Sequence, residues 1–392
     1  MRKKIFYING TTLPGGGPEH IYQLIKKLNR NEWEPSLCTK KNGAFWEKFY
    51  SMRIKLYDLS LRKLSPLTLF KLFFILYKER PDLIHTHGKG PGLYGRIIGK
   101  FLNIPVVHTF HGFHYEDLPY FTRWLHLLVD SFLSLITAKH IFVSAGEKNR
   151  ARKIKFLGAH NSTVIHNGVD CEHIQNLSIE KNEIFKSIRC DDWKHNKILG
   201  TISRISPEKG MHNLLSAFSK VIKKIPDLRL IIVGGYPEEH KNYYLKITSF
   251  IKKEGLTERV RILGYRKDAL EILKCMDFYI SPSLSEGLPI SILEAISSRI
   301  PIVATEIAGN KDILRNSAFG ILVEPNSPEC LSLGIIRITQ LTQNELNILT
   351  RNAFNRIKKE FSVEEMASKT VLIYKKILHK NDAYEGTNQY IS

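Results

Sequence analysis

The residues best suited to chemistry stand in one string, Ser281-Pro282-Ser283-Leu284-Ser285-Glu286-Gly287-Leu288-Pro289-Ile290-Ser291-Ile292-Leu293-Glu294-Ala295. Pro289 suits the first position of a helix, which predicts a helix start near 289, Glu286 in the loop before it and Glu294 in its second turn. Two carboxylates on one pocket wall accept hydrogen bonds from sugar or ribose hydroxyls. The same pair could serve a hydrolase as acid and base, although a loop carboxylate facing hydroxyls fits binding better. Upstream, Ser203-Arg204-Ile205-Ser206-Pro207-Glu208-Lys209-Gly210 sets Arg204 and Lys209 at a turn directly before a helix. Fixed cations beside free helix N–H groups suit a diphosphate; an ordinary solvated turn is the plain alternative.

Two further groups of residues end strands in the first half. Gly15, Gly16 and Gly17 follow Asn9-Gly10 and precede a helix, so the backbone there can approach an anion closely. Their spacing matches neither a dinucleotide fingerprint nor a Walker loop, and a tight turn is the alternative. His85, His87, His108, His111 and His114 cluster at two strand ends. A metal site needs three or four converging ligands. No acidic or cysteine neighbour completes such a set, so the expectation is no metal and polar residues lining a cleft, with satisfied structural histidines as the alternative.

Short apolar strands alternate with helical patterns to position these residues. Strands are expected at 5–8, 37–39, 54–57, 83–86, 106–110, 141–144 and 164–165, then at 198–202, 230–233, 260–263, 278–280, 302–304 and 321–323. Ile21, Leu24, Ile25 and Leu28 follow helical spacing and predict a helix over 19–29. Strand runs without strict alternation, separated by helices, indicate parallel sheets covered on both faces. The expected fold class is therefore α/β, with two doubly wound Rossmann-like domains facing across a cleft. The chain divides into an N-terminal Rossmann-like domain over 1–170, a linker over 171–196 and a C-terminal Rossmann-like domain over 197–360. A C-terminal helix over 361–380, crossing back to the N-terminal domain, and a polar tail over 381–392 complete it.

Length and composition narrow the classes. A chain of 392 residues with 43% hydrophobic and 24% charged side chains builds about two domains and is not a disordered protein. No apolar run reaches the ~18 residues of a spanning helix. Ile5–Ile8 is too short for a signal peptide, so a cytoplasmic protein is expected. Five scattered cysteines (Cys38, Cys171, Cys190, Cys275, Cys330) without a C-x-x-C argue against disulfides and a thiolate zinc site. The net charge of +20 is uneven: residues 1–190 carry 29 basic and 15 acidic side chains, and residues 191–392 carry 29 and 23. That asymmetry points to an anionic partner or to solubility alone. Without basic stretches interleaved with aromatics, nucleic acid is not an expected partner.

The 281–295 string resembles the E-x₇-E segment of the retaining family-4 glycosyltransferases, which have the GT-B fold, and the resemblance covers residues 4–375. The turn from Arg204 to Gly210 is similar to the family's nucleotide-diphosphate motif, Val164–Asp170 to its domain-ending N-G-V-D, and His108–Gly112 to its T-x-H-G strand end. This chain has Ala308 before Gly309 where the family often has two glycines ahead of Asn310, and Pro18 where a smaller residue is usual. The resemblance implies transfer of a sugar from a nucleotide sugar, a UDP-sugar in this reading, to a hydroxyl of a glycan or polyprenyl-linked glycan, with retention, in bacterial surface-polysaccharide synthesis. It implies that the first domain faces the acceptor and the second binds the nucleotide sugar, with Arg204 and Lys209 holding the diphosphate and Glu294 the ribose. Glu286, beside Gly287 and Leu288, would hold the donor sugar, with His111 near the reacting centre and Glu147 on the acceptor side. The nucleotide sugar is a substrate, so no cofactor is expected, and no D-x-D exists to hold a metal. A GT-B epimerase or phosphorylase, or a non-catalytic sugar-nucleotide-binding subunit, are the alternatives. Two basic-flanked apolar stretches, Leu61-Arg62-Lys63-Leu64 through Tyr77 and Pro119–Ile136, further suggest peripheral attachment to an anionic membrane; buried core helices are the alternative.

Overall fold

The computed structural model describes residues 2–388 apart from 62, 113, 114 and 116–118, with the backbone alone over 380–388. Arg62 and His114, singled out above, lie outside the described residues. The chain forms two compact units, one running to Gly168 and resuming at Val363, the other spanning Val169–Ser362.

The N-terminal unit alternates strand and helix: β1 Lys3–Asn9, α1 Gly16–Lys27, β2 Trp33–Thr39, α2 Phe45–Ser51, β3 Lys55–Asp58, α3 Pro66–Glu79, β4 Leu83–His87, α4 Lys89–Phe101, β5 Val106–Phe110, α5 Tyr120–Leu135, β6 Lys139–Phe142, α6 Ala145–Lys153 and β7 Ser162–Val164. The seven strands are parallel in the order β3-β2-β1-β4-β5-β6-β7. Strand order reverses between β1 and β4, the place where open α/β sheets bind ligands beyond the carboxyl ends of their strands.

The second unit repeats the plan: α7 Cys171–Asn176, α8 Lys181–Ser187, β8 Lys197–Ile202, α9 Met211–Val221, β9 Leu228–Val233, α10 Lys241–Lys253, β10 Val260–Ile262, α11 Ala269–Leu273, β11 Phe278–Ser281, α12 Ile290–Ser297, β12 Ile302–Thr305, α13 Ala308–Leu314, β13 Ile321–Val323, α14 Pro328–Gln340 and α15 Gln343–Glu360. Its sheet runs β10-β9-β8-β11-β12-β13, again parallel, with the reversal between β8 and β11.

Three expectations are corrected here. Residues 171–196 are not a linker. Phe185, Ile188, Cys190 and Trp193 are buried in the second unit, and the Lys274 ammonium donates to the carbonyls of Ile174 and Leu177 beyond α7. Short apolar residues without helical period conceal such a segment, because they pack one at a time. The division falls at Gly168/Val169 rather than after 170. The last helix, α16, spans Val363–Asn388, so residues 381–388 continue it instead of forming a tail.

That helix does return to the N-terminal unit. Met366, Ala367, Tyr374 and Leu378 share one buried cluster with Ile21, Leu24 and Ile25 of α1 and with Tyr7, Leu83 and Val107 of the sheet. The opposite face of the sheet, carrying Phe6, Ile8, Ile84 and Val106, is covered by α3 and α4.

Candidate functional site

In the second unit the chemistry gathers where β8 and β11 diverge. After β8 the chain makes a single 3₁₀ turn, Pro207–Lys209, and enters α9 through Gly210. Gly210 has φ +65°, and a Cβ there would stand 2.1 Å from the Pro282 carbonyl oxygen. Only glycine lets the two loops approach so closely. The backbone N–H of Leu284 donates to the Glu208 carbonyl at 2.8 Å, tying the loop after β11 to the turn after β8.

This contact brings Lys209 and Glu286 together as an ion pair, each side chain only 15% exposed. The Ser283 hydroxyl donates to the same Glu286 carboxylate oxygen at 2.8 Å. Arg204 stays exposed, 3.6 Å from Glu208. Burial opposes ionisation of Glu208, but the Ser206 hydroxyl and backbone N–H bonding outweigh it and hold the carboxyl below its usual range. The turn thus presents an exposed guanidinium, paired with Glu208, beside an ammonium held by Glu286.

Pro289 is the residue capping α12 rather than its first helical position, so the helix begins at Ile290. Glu294 follows in the second turn, as expected. Burial pushes the phenol of Tyr279, on β11, upward, and the charge of Glu294 adds to it. Gly287 is pressed against the first turn of α13: a Cβ on Gly309 would meet the Gly287 carbonyl oxygen at 2.4 Å. Leu288 is buried, and Thr305 of β12 donates its hydroxyl to the Ser283 carbonyl. Asn310 completes the lattice by donating to the Thr305 carbonyl at 2.8 Å.

In the N-terminal unit, α1 begins at Gly16, three residues before the expected start, with Gly15 as its cap. Gly16 and Gly17 therefore lie within the first helical turn. A Cβ on Gly17 would stand 3.8 Å from both Asn9 and His111. His20, one turn further, packs edge-on against His111 with ring centroids 4.9 Å apart, and its Nδ1 lies 3.0 Å from Asn167 Oδ1. His87 Nδ1 lies 2.9 Å from His111 Nε2. Below them, His85 sits between the Tyr374 hydroxyl at 2.5 Å and the Thr109 hydroxyl at 2.7 Å.

Burial lowers the pKa of every histidine in this group, His20 to about 4 and His85, His87 and His111 well below the ordinary value. Neutral imidazoles at pH 7 can each donate one hydrogen bond and accept another. The ring nitrogens His87 Nε2 and His111 Nδ1 are buried without a partner. His20, His87 and His111 bring ligand atoms within 4.8 Å of one another, a set that could hold a metal ion among the described residues. The sequence did not bring these three together, since His20 stands apart from the two strand-end clusters.

The family profile described as "Glycosyltransferase Family 4" matches residues 14–173, and "Glycosyl transferases group 1" matches residues 185–356. The chain is 28% identical to the UDP-Gal:alpha-D-GlcNAc-diphosphoundecaprenol alpha-1,3-galactosyltransferase of Escherichia coli, covering 95% of this chain and 96% of that protein. It is 20% identical to the capsular polysaccharide biosynthesis glycosyltransferase CapM of Staphylococcus aureus, covering 80% and 82%. Among solved structures, HepE of Anabaena in complex with UDP and glucose superposes with a TM-score of 0.84 at 20% identity, covering 96% of this chain and 100% of that one.

The chain belongs to the family-4-like glycosyltransferases.

This glycosyltransferase has the two Rossmann-like units of the GT-B fold. Of its sequence-predicted site residues, Lys209, Glu286, Gly287 and Leu288 meet around one turn, with Arg204 at its edge and Glu294 on the adjoining helix. Gly17 and His111 meet in the N-terminal unit. His108 does not join them. It points through the other face of the sheet, where its Nδ1 lies 2.8 Å from the Thr86 hydroxyl and the absence of a side chain at Gly92 makes room for its ring. Glu147 is buried in the first turn of α6, its N–H bonded to the capping Ser144 hydroxyl. Sequence reasoning missed His20, Asn167 and Tyr374. Asn167 was legible as part of the N-G-V-D string, but its partner was not.

Proposed function

We propose that this glycosyltransferase moves a hexose from a UDP-sugar to a hydroxyl of a glycan, carried on a polyprenyl diphosphate, with retention at the anomeric carbon. The observation that carries the reading is the Lys209–Glu286 pair at the strand-order reversal of the second unit, with Arg204 exposed beside it. In transfer, the bond from the anomeric carbon to the β-phosphate oxygen breaks. A bond to the acceptor oxygen forms, and the acceptor proton leaves with the diphosphate. Arg204 and Lys209 stabilise the charge that grows on the leaving group; such preorganised electrostatics are often the largest catalytic contribution. Glu286, oriented by Ser283 and Lys209, accepts from hydroxyls of the donor sugar, and Glu294 from the ribose. Within the N-terminal unit, Gly15, Gly16, Gly17 and His111 offer backbone donors and a neutral imidazole to a sugar.

The galactosyltransferase relative, whose acceptor is a diphosphoundecaprenol-linked sugar, supports a lipid-linked acceptor, and the capsular polysaccharide relative CapM supports a role in surface-polysaccharide assembly. The test is a panel of UDP-sugars offered with polyprenyl-diphosphate-linked sugars, with and without EDTA, reading released UDP and the anomeric configuration of the product. Transfer with retention that persists in EDTA is expected. Inversion, or turnover of donor without consumption of acceptor, would overturn the reading. Loss of activity in EDTA restored by a divalent ion would move the cationic role from Arg204 and Lys209 to a bound metal.

A further inference from the structure

A buried imidazole that serves packing alone has both ring nitrogens bonded, as His85 does to the Tyr374 and Thr109 hydroxyls. The three histidines beside it differ. His20 of α1, His87 at the last position of β4 and His111 just beyond β5 form a triangle, with ring centroids 4.9, 5.2 and 5.4 Å apart. Each contributes a ring nitrogen to a set lying within 4.8 Å of one another, and among the described residues no carboxylate or thiol joins it. His87 Nε2 and His111 Nδ1 are buried without a partner. Three uncharged imidazoles, incompletely bonded and facing one another, gain little as a core and suit an ion as ligands.

The nitrogens are already arranged for this. His87 Nδ1 and His111 Nε2 stand 2.9 Å apart. At the ~2.0–2.1 Å bonds that imidazole makes to Zn²⁺, two ligands on one ion lie roughly 3 Å apart, so this pair has ligand spacing. His20 is oriented from behind by Asn167, in the loop after β7, whose Oδ1 lies 3.0 Å from its Nδ1. An amide oxygen only accepts, so Nδ1 carries the proton and Nε2 the lone pair. Metal-binding histidines are held in this way, with the far N–H given to a carbonyl or carboxylate oxygen.

We propose that His20, His87 and His111 form a binding site for a divalent transition ion of the Zn²⁺ type, and that the bound ion shuts off sugar transfer by occupying His111. Imidazole nitrogens select Zn²⁺, Co²⁺, Ni²⁺ and Cu²⁺ over Mg²⁺ and Ca²⁺, which prefer oxygen ligands. Three protein ligands leave a further position for water. Binding releases no proton: each neutral ring keeps one N–H, on Nδ1 in His20 and His111 and on Nε2 in His87. The inhibition rests on His111 meeting the sugar, as proposed above; the binding does not.

Co²⁺ titrated into the full chain stripped of metal, without donor or acceptor, reads binding alone through its visible absorption. One equivalent of nitrogen-ligated Co²⁺, displaced by Zn²⁺, is expected. Asn167→Ala should weaken binding by roughly tenfold, and His20→Asn and His87→Asn by more. His195→Asn, at an exposed position, should leave it unchanged. Each variant is also melted without metal. Should His20→Asn fail to fold, anomalous scattering from Zn²⁺ in crystals of the parent protein decides, with a peak between the three rings expected. Binding that survives both His20→Asn and His87→Asn, or an anomalous peak only elsewhere, would rule the site out. In a separate assay Zn²⁺ should inhibit transfer, EDTA should restore it and Mg²⁺ should have no effect. Co²⁺ binding without inhibition by Zn²⁺ would overturn the shut-off. A stripped chain that transfers no sugar at all would instead count against the proposed function and leave the cobalt result standing.

Discussion

Lys209 and Glu286 illustrate how one ion pair can prepare a site for a charge it does not yet hold. Their pairing neutralises both groups in a half-buried position, and the Ser283 hydroxyl keeps the carboxylate oriented. On the proposed reading, the diphosphate of the donor finds the ammonium already in place. Lys209→Ala should lower kcat/KM by roughly 10²-fold, as loss of one preorganised electrostatic donor typically does. Steady-state kinetics with the donor varied will check it; near-normal values would mean the pair is structural. The histidines make a second prediction. Their folded pKa values lie below the ordinary 6.5, His20 at about 4, so the unfolded chain binds more protons as the pH drops below 6.5. Stability they contribute is therefore present above that value and is lost as the pH falls toward 4. The melting temperature of the N-terminal unit should drop by several degrees between pH 7.5 and pH 5, and His20→Asn should flatten that dependence.

Turns, rather than the strands and helices they join, set the geometry around Lys209 and Glu286. The β8–α9 connection needs a left-handed residue without a side chain at Gly210, because a Cβ would overlap the Pro282 carbonyl. Gly210→Ala must push the two loops apart and also strain the backbone, at a cost of about 1–3 kcal/mol. The expected outcome is a lower melting temperature of the second unit together with weaker donor binding, read by thermal unfolding with and without UDP. A smaller UDP-induced rise in midpoint than in the parent protein would show that the turn positions Lys209. At the other sheet, α1 starts its helix with two glycines, and a Cβ on the second would stand 3.8 Å from His111.

For the molecule as a whole, the chain passes from the first unit to the second at Gly168 and returns at Val363. The return is structural as well as topological. Tyr374 of α16 bonds His85 and the Tyr7 hydroxyl, and Met366, Ala367 and Leu378 close the core over α1. Ending the chain at residue 362 would uncover that core and leave His85 short of a partner, a buried polar loss of about 1–3 kcal/mol before any apolar area is counted. Such a truncation should lose the cooperative melting of the N-terminal unit by calorimetry and bind a hydrophobic dye. A chain ending at 388 should melt as the full one does.

Much of this was legible from local pattern. Alternating strand and helix signals marked all thirteen strands now seen among the described residues, because a buried parallel strand is a short, dense apolar run whatever it pairs with. The Arg204–Gly210 and Glu286–Glu294 strings marked residues that meet around one turn in the fold, since a turn's chemistry is written in adjacent residues. Other features depended on contacts between residues remote in sequence. Residues 171–196 read as a linker because their burial is supplied by partners such as Lys274 and Ser297. The pairing of Lys209 with Glu286 required two loops to meet, and the union of His20, His87 and His111 required a helix to be laid across two strand ends. The two apolar stretches read equally well as core or as surface. Only packing decided that α5 turns Asp130 inward to Arg96 and leaves Phe132 outside, because a helical period fixes which residues share a face and not which way that face points.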